Sequence, residues 1–433
     1  HLAVRTAREL LKRGFANEAI GIFSTHEAST LILFFAVIYS GNYYVPLDPQ
    51  LPPEKLTSIL EDANIRIVLG GSEWQDILNS VSPSVELLIP DLHIRTEEMT
   101  LPLPQVAKDT PLYMIYTSGS TGKPKGVLKS HGAMRSFIDT FAIHFDFTGE
   151  EIIGNQTPFF FDASAKDIYL MLKTGATLEI IPRELFMMPP KLIRYLNQRK
   201  ISYICWVPTA LSIVTQLNTF QEIIPETLKR VYFVGEAMPM KQLNKWRQAL
   251  PHIQYVNLYG ASEIAGISCW YEVQEDFPDT AALPMGKALP NCDIYLVDAD
   301  QVITEPGHIG EIYYASEALA LEYFHDPEKT AACFSIRDFG NGPQRTFKTG
   351  DLAQYDTNGN LVFASRNDHQ IKHMGHRIEL GEIEAVANSL PQLDRCCCVY
   401  HQERMKITLF CQLSEGTELA ARDIIRLLRP LLT

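Results

Sequence analysis

The chain has 433 residues, 46% hydrophobic and 21% charged, with a formal net charge of −13. That length exceeds what one core usually serves, so two or three subdomains of an ordinary globular protein are expected. The acidic balance excludes a general nucleic-acid binder, which carries a basic face. The longest apolar stretch, residues 30–39, is too short to cross a bilayer.

Helical periodicity runs over residues 3–14 and ends at Gly14, and 19–23 reads as a strand. A helix over 28–40 stops at Gly41, a strand at 43–49 runs into a turn, a helix covers 54–63 and a strand 65–69. This alternation predicts βαβ units and a largely parallel sheet. The apolar segment 112–116 reads as a buried strand. The run Tyr116-Thr117-Ser118-Gly119-Ser120-Thr121-Gly122-Lys123-Pro124-Lys125-Gly126 follows it. Glycines let a backbone approach an anion, successive N–H groups form a concave anion site, and the hydroxyls and lysines add donors and charge. The run therefore reads as a polyphosphate cradle. It is not the common nucleotide loop, because Pro124 stands where that pattern needs Ser or Thr.

Beyond the cradle, a helix is expected over 166–173, ended at Gly175, with strands at 177–181, 201–207, 230–234 and 255–258. From residue 284, short strands and Gly/Pro/Asp/Asn turns predict a β-rich subdomain. Positions 366–368 read as the boundary of a small C-terminal domain with a helix over 379–389 and a strand over 395–400. The expected fold is α/β. A large core, residues 1–366, has parallel and mixed sheets with helices, and 284–366 is its β-rich part. A small α+β domain spans 367–433.

Polar clusters fall at apparent strand ends, where open α/β sheets place ligands. They are Phe161-Asp162-Ala163-Ser164, Asn257 to Glu263, Lys348-Thr349-Gly350-Asp351 and Arg366 onward. Glu263 beside a polyphosphate suits Mg²⁺, which uses few carboxylates. Asp351 suits ribose hydroxyls, and Tyr259 suits stacking on a base. Each alone also has a plain reading: a turn Asp, a capping Glu, a core Tyr.

Their joint order resembles the ATP-dependent adenylate-forming superfamily and, more narrowly, the amino-acid adenylation domains of nonribosomal peptide synthetases. The motifs run from Tyr43-Tyr44-Val45-Pro46-Leu47-Asp48 through the cradle, Phe161 to Ser164, Asn257 to Glu263, Gly310-Glu311-Ile312 and Lys348 to Asp351. They end with Arg366 through Gly375-His376-Arg377-Ile378-Glu379-Leu380-Gly381-Glu382-Ile383-Glu384. The resemblance implies that a carboxylate attacks the α-phosphate of ATP·Mg²⁺, giving an acyl-adenylate and pyrophosphate. The acyl group then passes to a phosphopantetheine thiol on a carrier protein. It implies phosphate contacts from Thr117, Ser118, Gly119, Ser120, Thr121, Gly122 and Lys125, with Thr121, Lys125 and Glu263 catalytic and Glu263 holding the metal. Gly235, Glu236, Asn257, Tyr259, Gly260 and Ser262 would surround the nucleotide, Asp351 and Arg366 would contact the ribose, and Asp368 would be the hinge of the small domain.

The resemblance also implies that Asp162 pairs with the substrate's α-amino group. Its plain alternative is a cap on the following helix. Ala163, Lys166, Cys205, Tyr232, Val234, Leu258, Gly266 and Ile267 would line the side-chain pocket. Lys166 points to an acidic or polar substrate side chain, unless it pairs with Asp162 or Asp167 or reaches solvent. Two other functions are open. Acyl-CoA or aryl-CoA ligases share the motifs but usually lack that Asp, and a non-catalytic ATP- or aminoacyl-AMP-binding module would not turn over.

The family's closing Gly-Lys motif is absent before Thr433, so the small domain reads as incomplete and adenylation by this length of chain is expected to be weak. The first residue is His1 rather than Met, and no signal peptide is visible. Eight scattered cysteines, three of them consecutive at 396–398, fit neither a disulfide framework nor metal spacing. They read as reduced thiols of a cytoplasmic protein without membrane or nucleic-acid partners.

Overall fold

In the computed structural model, residues 1–90, 104–118, 124–367, 370–374, 376–401, 405–414 and 416–432 are described. The alternation of the first ninety residues folds as its periodicity predicts. Ala19–Phe23 is an uninterrupted apolar run, buried at every residue, and lies parallel between Tyr43–Leu47 and Ile67–Leu69. Strands buried on both faces read this way in parallel sheets. The sheet has seven strands. In spatial order they are Glu322–Tyr323, Lys125–Ser130, Pro111–Thr117, Tyr43–Leu47, Ala19–Phe23, Ile67–Leu69 and Glu86–Leu88. Lys125–Ser130 runs antiparallel to both its neighbours, Pro111–Thr117 and Glu322–Tyr323, in an otherwise parallel sheet.

A second seven-stranded sheet repeats the plan. Gln254–Tyr259, Arg230–Val234, Tyr203–Trp206, Ile152–Asn155 and Thr177–Ile180 are parallel neighbours, and Cys269–Glu272 and Lys287–Ala288 extend it antiparallel. Helix Ala28–Tyr39 is apolar almost throughout, the pattern of a helix covered on all sides. With His131–His144 and Ala163–Thr174 it shares one buried cluster with both sheets, including Tyr44, Tyr113, Phe137, Phe141, Tyr203 and Tyr232.

Beyond residue 284 the expected β-rich part is a six-stranded antiparallel sheet built on Pro343–Tyr355. The chain then forms the hairpin Gln370–His373/His376–Glu379, the helix Leu380–Asn388, the hairpin Leu393–His401/Lys406–Leu413 and the helix Ala421–Leu428. Ala387, Leu393, Cys396 and Leu428 give this last unit its own small core. Several expected bounds shift slightly: the strand after Ala63 begins at Ile67, the helix containing Lys166 at Ala163, the strand expected from 201 at Tyr203 and the one expected from 395 at Leu393. No helix among the described residues is long and apolar enough to cross a membrane. The three consecutive cysteines lie on a strand that buries Cys396 and Cys398 and exposes Cys397; all three thiols are free.

Candidate active site

Pro111–Thr117 and Lys125–Ser130 are antiparallel neighbours with Thr117 opposite Lys125. The tip of the cradle between them, with Gly119, Ser120, Thr121 and Gly122, lies outside the described residues, as do Gly375 and the expected hinge Asp368. At the base of the cradle the Thr117 hydroxyl is buried and has no hydrogen-bond partner among the described residues. Ser118 Oγ donates to the Arg377 carbonyl oxygen at 2.6 Å. Lys125 Nζ is 4.0 Å from Glu263 Oε1 and 3.9 Å from Glu379 Oε1, and lies 5.3 Å from the Tyr323 ring centroid. Burial, with help from the Arg377 charge, pushes the Lys125 ammonium down to about 8, while Glu263 and Glu379 pull the other way.

Glu263 is fully buried. It ends the turn after Gln254–Tyr259 and accepts from Tyr323 Oη at 2.7 Å and from Arg377 Nη1 at 2.8 and 3.0 Å. Burial alone would raise its carboxyl, but Arg377 and Lys125 outweigh it and hold the group well below the usual carboxylate range. Tyr323 reaches this point because Glu322–Tyr323 pairs on the edge of Lys125–Ser130, and Arg377 arrives on the C-terminal hairpin. That hairpin is also held by a Lys55–Glu382 ion pair of 2.6 Å beside it and by an edge-on contact of His376 with Phe161. An ionised buried carboxylate, a lysine and an unpartnered buried hydroxyl are a donor set that fits Mg²⁺ and phosphate oxygens.

The residues expected at the nucleoside begin on the same strand as the turn to Glu263. Tyr259 Oη and the Arg366 guanidinium both donate to the buried Asp351 carboxylate, and Asp351 faces Arg366 across two antiparallel strands. Lys372 Nζ lies 4.7 Å from the Tyr259 ring centroid. Asn257 Nδ2 donates to the Pro284 carbonyl oxygen at 2.7 Å. Tyr259 and Arg366 thus meet at Asp351, and Asn257 lies on the same strand as Tyr259. Glu236 instead accepts from Thr209 N at 3.1 Å and Thr209 Oγ1 at 2.6 Å, at the N-terminus of helix Pro208–Gln216. Gly235, at φ +100°, ends the strand before it, and Ser262 is half-buried in the turn leading to Glu263.

Gly260 is fixed sterically: a Cβ there would lie 2.2 Å from the Gly266 carbonyl oxygen, a backbone atom that cannot swing aside. Gly260→Ala is expected to lower stability by about 1–3 kcal/mol through overpacking and to disturb the Tyr259–Glu263 turn. Thermal unfolding with and without ATP checks it. An unchanged melting temperature in both states would refute the clash.

The expected pocket residues lie side by side. Tyr232 is the register partner of Cys205, and Val234 of Leu258; all four share one apolar cluster with Ile267. Gly266 lies against the Phe137 ring. Ala163 opens the neighbouring helix. Lys166 does not offer a free charge to this pocket. It is buried, bonded to Asp167, and 3.2 Å from Tyr203 Oη. Asn155 Nδ2 donates to the other Asp167 oxygen at 3.0 Å and its Oδ1 meets His26 Nε2 at 2.8 Å. The pair is net neutral, which removes the ground for an acidic side chain in the substrate.

Asp162 has a partner that the sequence reading did not name. Lys129 Nζ lies 2.5 Å from Asp162 Oδ1, and Tyr113 Oη donates to the same oxygen at 2.9 Å. Period-2 alternation puts Lys129 on the same strand face as Lys125, but it does not point to Asp162. Arg377, Tyr323 and Lys372 were likewise given no role by the motifs.

The family model described as AMP-binding enzyme matches residues 1–324. Tyrocidine synthase 1 of Brevibacillus parabrevis is 32% identical over 389 residues, 89% of this chain and 35% of that protein. A dimodular nonribosomal peptide synthase of Bacillus subtilis is 31% identical over 410 residues, 93% of this chain and 17% of that protein. The chain therefore spans about a third or less of these relatives. The crystal structure of IdnL1 superposes with a TM-score of 0.83 at 27% identity, covering 99% of this chain and 87% of that one. An artificially fused adenylation–PCP di-domain from Klebsiella oxytoca shares the fold, with a TM-score of 0.85 at 20% identity over 99% of this chain and 84% of that one. The chain belongs to the AMP-binding enzyme family of the adenylate-forming superfamily.

Proposed function

We propose that the chain activates the carboxylate of an acid with ATP, releases pyrophosphate, and passes the acyl group to a phosphopantetheine thiol on a carrier protein during nonribosomal peptide assembly. The observation that carries this reading is the meeting of Lys125, Glu263 and the unpartnered Thr117 hydroxyl at the base of the cradle. The relatives named as peptide synthases, and the adenylation–PCP fusion with the same fold, support the carrier as partner.

Within this reading, Lys125 and the cradle grip the phosphates, Asp351 and Arg366 orient the ribose, and Tyr259 and Asn257 flank the base. Glu263 holds Mg²⁺, which supplies charge neutralisation of the phosphates when bound. The protein's part is positioning and charge stabilisation at the α-phosphate. Residues 1–366 form the activating core, 284–366 its β-rich part, and 367–433 the smaller unit that brings Arg377 to the site.

The substrate is an acid of the kind built into such peptides. The sequence reading gives it an α-ammonium group facing Asp162, and pairing that carboxylate with Lys129 bears directly on this point. Acid-dependent ATP–pyrophosphate exchange by the full-length protein tests the reading. Exchange that requires an acid, ATP and Mg²⁺ is the expected result. ATP binding with no exchange for any acid would leave a nucleotide-binding module instead. Acyl transfer to coenzyme A in preference to a carrier protein would mark a ligase of the other kind.

A further inference from the structure

Lys129 is fully buried within the strand Lys125–Ser130. A buried ammonium is unfavourable unless a carboxylate meets its charge. Asp162 does so at 2.5 Å, and the Ile264 carbonyl oxygen accepts from the same ammonium at 3.3 Å. Tyr113, the cross-strand partner of Lys129, donates to the Asp162 oxygen that Lys129 holds. Asp162 directly precedes helix Ala163–Thr174, yet its side chain makes no cap bond to that helix. Its carboxylate is committed to Lys129 and Tyr113.

The pair is closed on the lysine side and open on the carboxylate side. The Lys129 side chain has no exposure, whereas that of Asp162 keeps 13%. Asp162 Oδ1 takes both bonds, and Oδ2 accepts nothing among the described residues and is not among their sealed, unpartnered atoms. The position therefore offers an acceptor whose negative charge is already neutralised. An α-amino acid would bring a second ammonium to one carboxylate, and like charges placed together in a desolvated site repel strongly. A neutral hydroxyl would donate to Oδ2 without that repulsion.

Resting on the activation reading above, we infer that Lys129 stands in place of a substrate ammonium and that the acid activated here is a 2-hydroxy acid. Lys129 is then a specificity-determining residue that acts through Asp162.

The test is ATP–pyrophosphate exchange with matched triads of acids. Each triad shares one side chain (methyl, isobutyl or benzyl) and differs at carbon 2, which bears hydroxyl, amino or hydrogen. The 2-hydroxy acid of the best triad should exceed its 2-amino counterpart by about 100-fold in kcat/KM. It should also exceed the unsubstituted acid, which cannot donate to Asp162. Lys129→Met frees Asp162 and should move the amino-to-hydroxy ratio toward the amino acid by about 100-fold. Should that variant fold poorly by thermal melt, Lys129→Met/Asp162→Asn removes both charges together and should collapse the ratio toward unity. Preference of the wild-type protein for the 2-amino acids overturns the inference and leaves acid activation standing, as does a ratio that neither variant moves. Exchange with no acid of any triad overturns the activation reading itself.

Discussion

Glu263→Gln should lower ATP–pyrophosphate exchange by about 10²–10³-fold, the loss typical when one preorganised charge contact at a phosphoryl centre is removed. The amide keeps the shape and can still accept from Tyr323 Oη, which bonds Glu263 at 2.7 Å. It cannot neutralise Arg377 and Lys125, which face this carboxylate at 2.8 Å and 4.0 Å. Breaking a buried ion pair by removing one partner is strongly destabilising. With the Arg377 side chain 18% exposed, solvent recovers part of that, so a loss of about 3 kcal/mol, the low end of the usual range, is expected. Arg377→Met separates the two effects. Arg377 and Mg²⁺ would compete for the same two Glu263 oxygens, so this variant should reach half-maximal ATP binding at lower Mg²⁺ than the wild type. Glu263→Gln should need more. Mg²⁺ titrations of ATP binding, followed by fluorescence or calorimetry, read both shifts. Normal exchange by Glu263→Gln would remove this carboxylate from the chemistry.

Much of this arrangement is legible in the chain, for physical reasons that differ by element. Parallel strands buried on both faces write themselves as apolar runs, so 19–23 and 230–234 match Ala19–Phe23 and Arg230–Val234 residue for residue. The cluster 348–351, expected at a strand end, lies inside Pro343–Tyr355, and that sheet sets Asp351 against the end of Gln254–Tyr259. The motifs at 257–263 and 351 therefore converge through Tyr259 and Asp351. What a sequence hides is who neutralises whom. Lys166 has Asp162 one turn away and Asp167 adjacent, and burial beside Asn155 and Tyr203 decides for Asp167. Lys129 and Asp162 are 33 residues apart, and no local pattern joins them. Their pairing follows from the register that places Tyr113 beside Lys129. Glu236 reads as a nucleotide contact in the motif order, and its carboxylate also accepts from Thr209 at the start of the earlier helix Pro208–Gln216, a pairing no local pattern shows.

ATP affinity should weaken above about pH 8, by up to tenfold per pH unit, because the Lys125 ammonium is held down to about 8 from its ordinary 10.5. Burial is the main cause, and the positive Arg377 adds to it. Polyphosphate brings negative charge to the ammonium and favours its charged form. Binding above pH 8 must therefore take up a proton. Calorimetry in buffers of different ionisation enthalpy should show uptake approaching one proton per site at pH 9 and near none at pH 6.5. Lys125→Arg keeps its charge across this range and should bind ATP with little pH dependence. Lys125→Ala should also be flat, with exchange about 10²–10³-fold weaker at every pH. The stability linkage runs the other way. Between about 8 and 10.5 the unfolded chain holds this proton more firmly than the folded one, so the Lys125 contribution to stability rises with pH while ATP affinity falls. Thermal melts without ATP should show that rise flattened in Lys125→Ala. Wild-type calorimetry without proton uptake at pH 9 would take Lys125 out of contact with the phosphates at the point where pyrophosphate must leave.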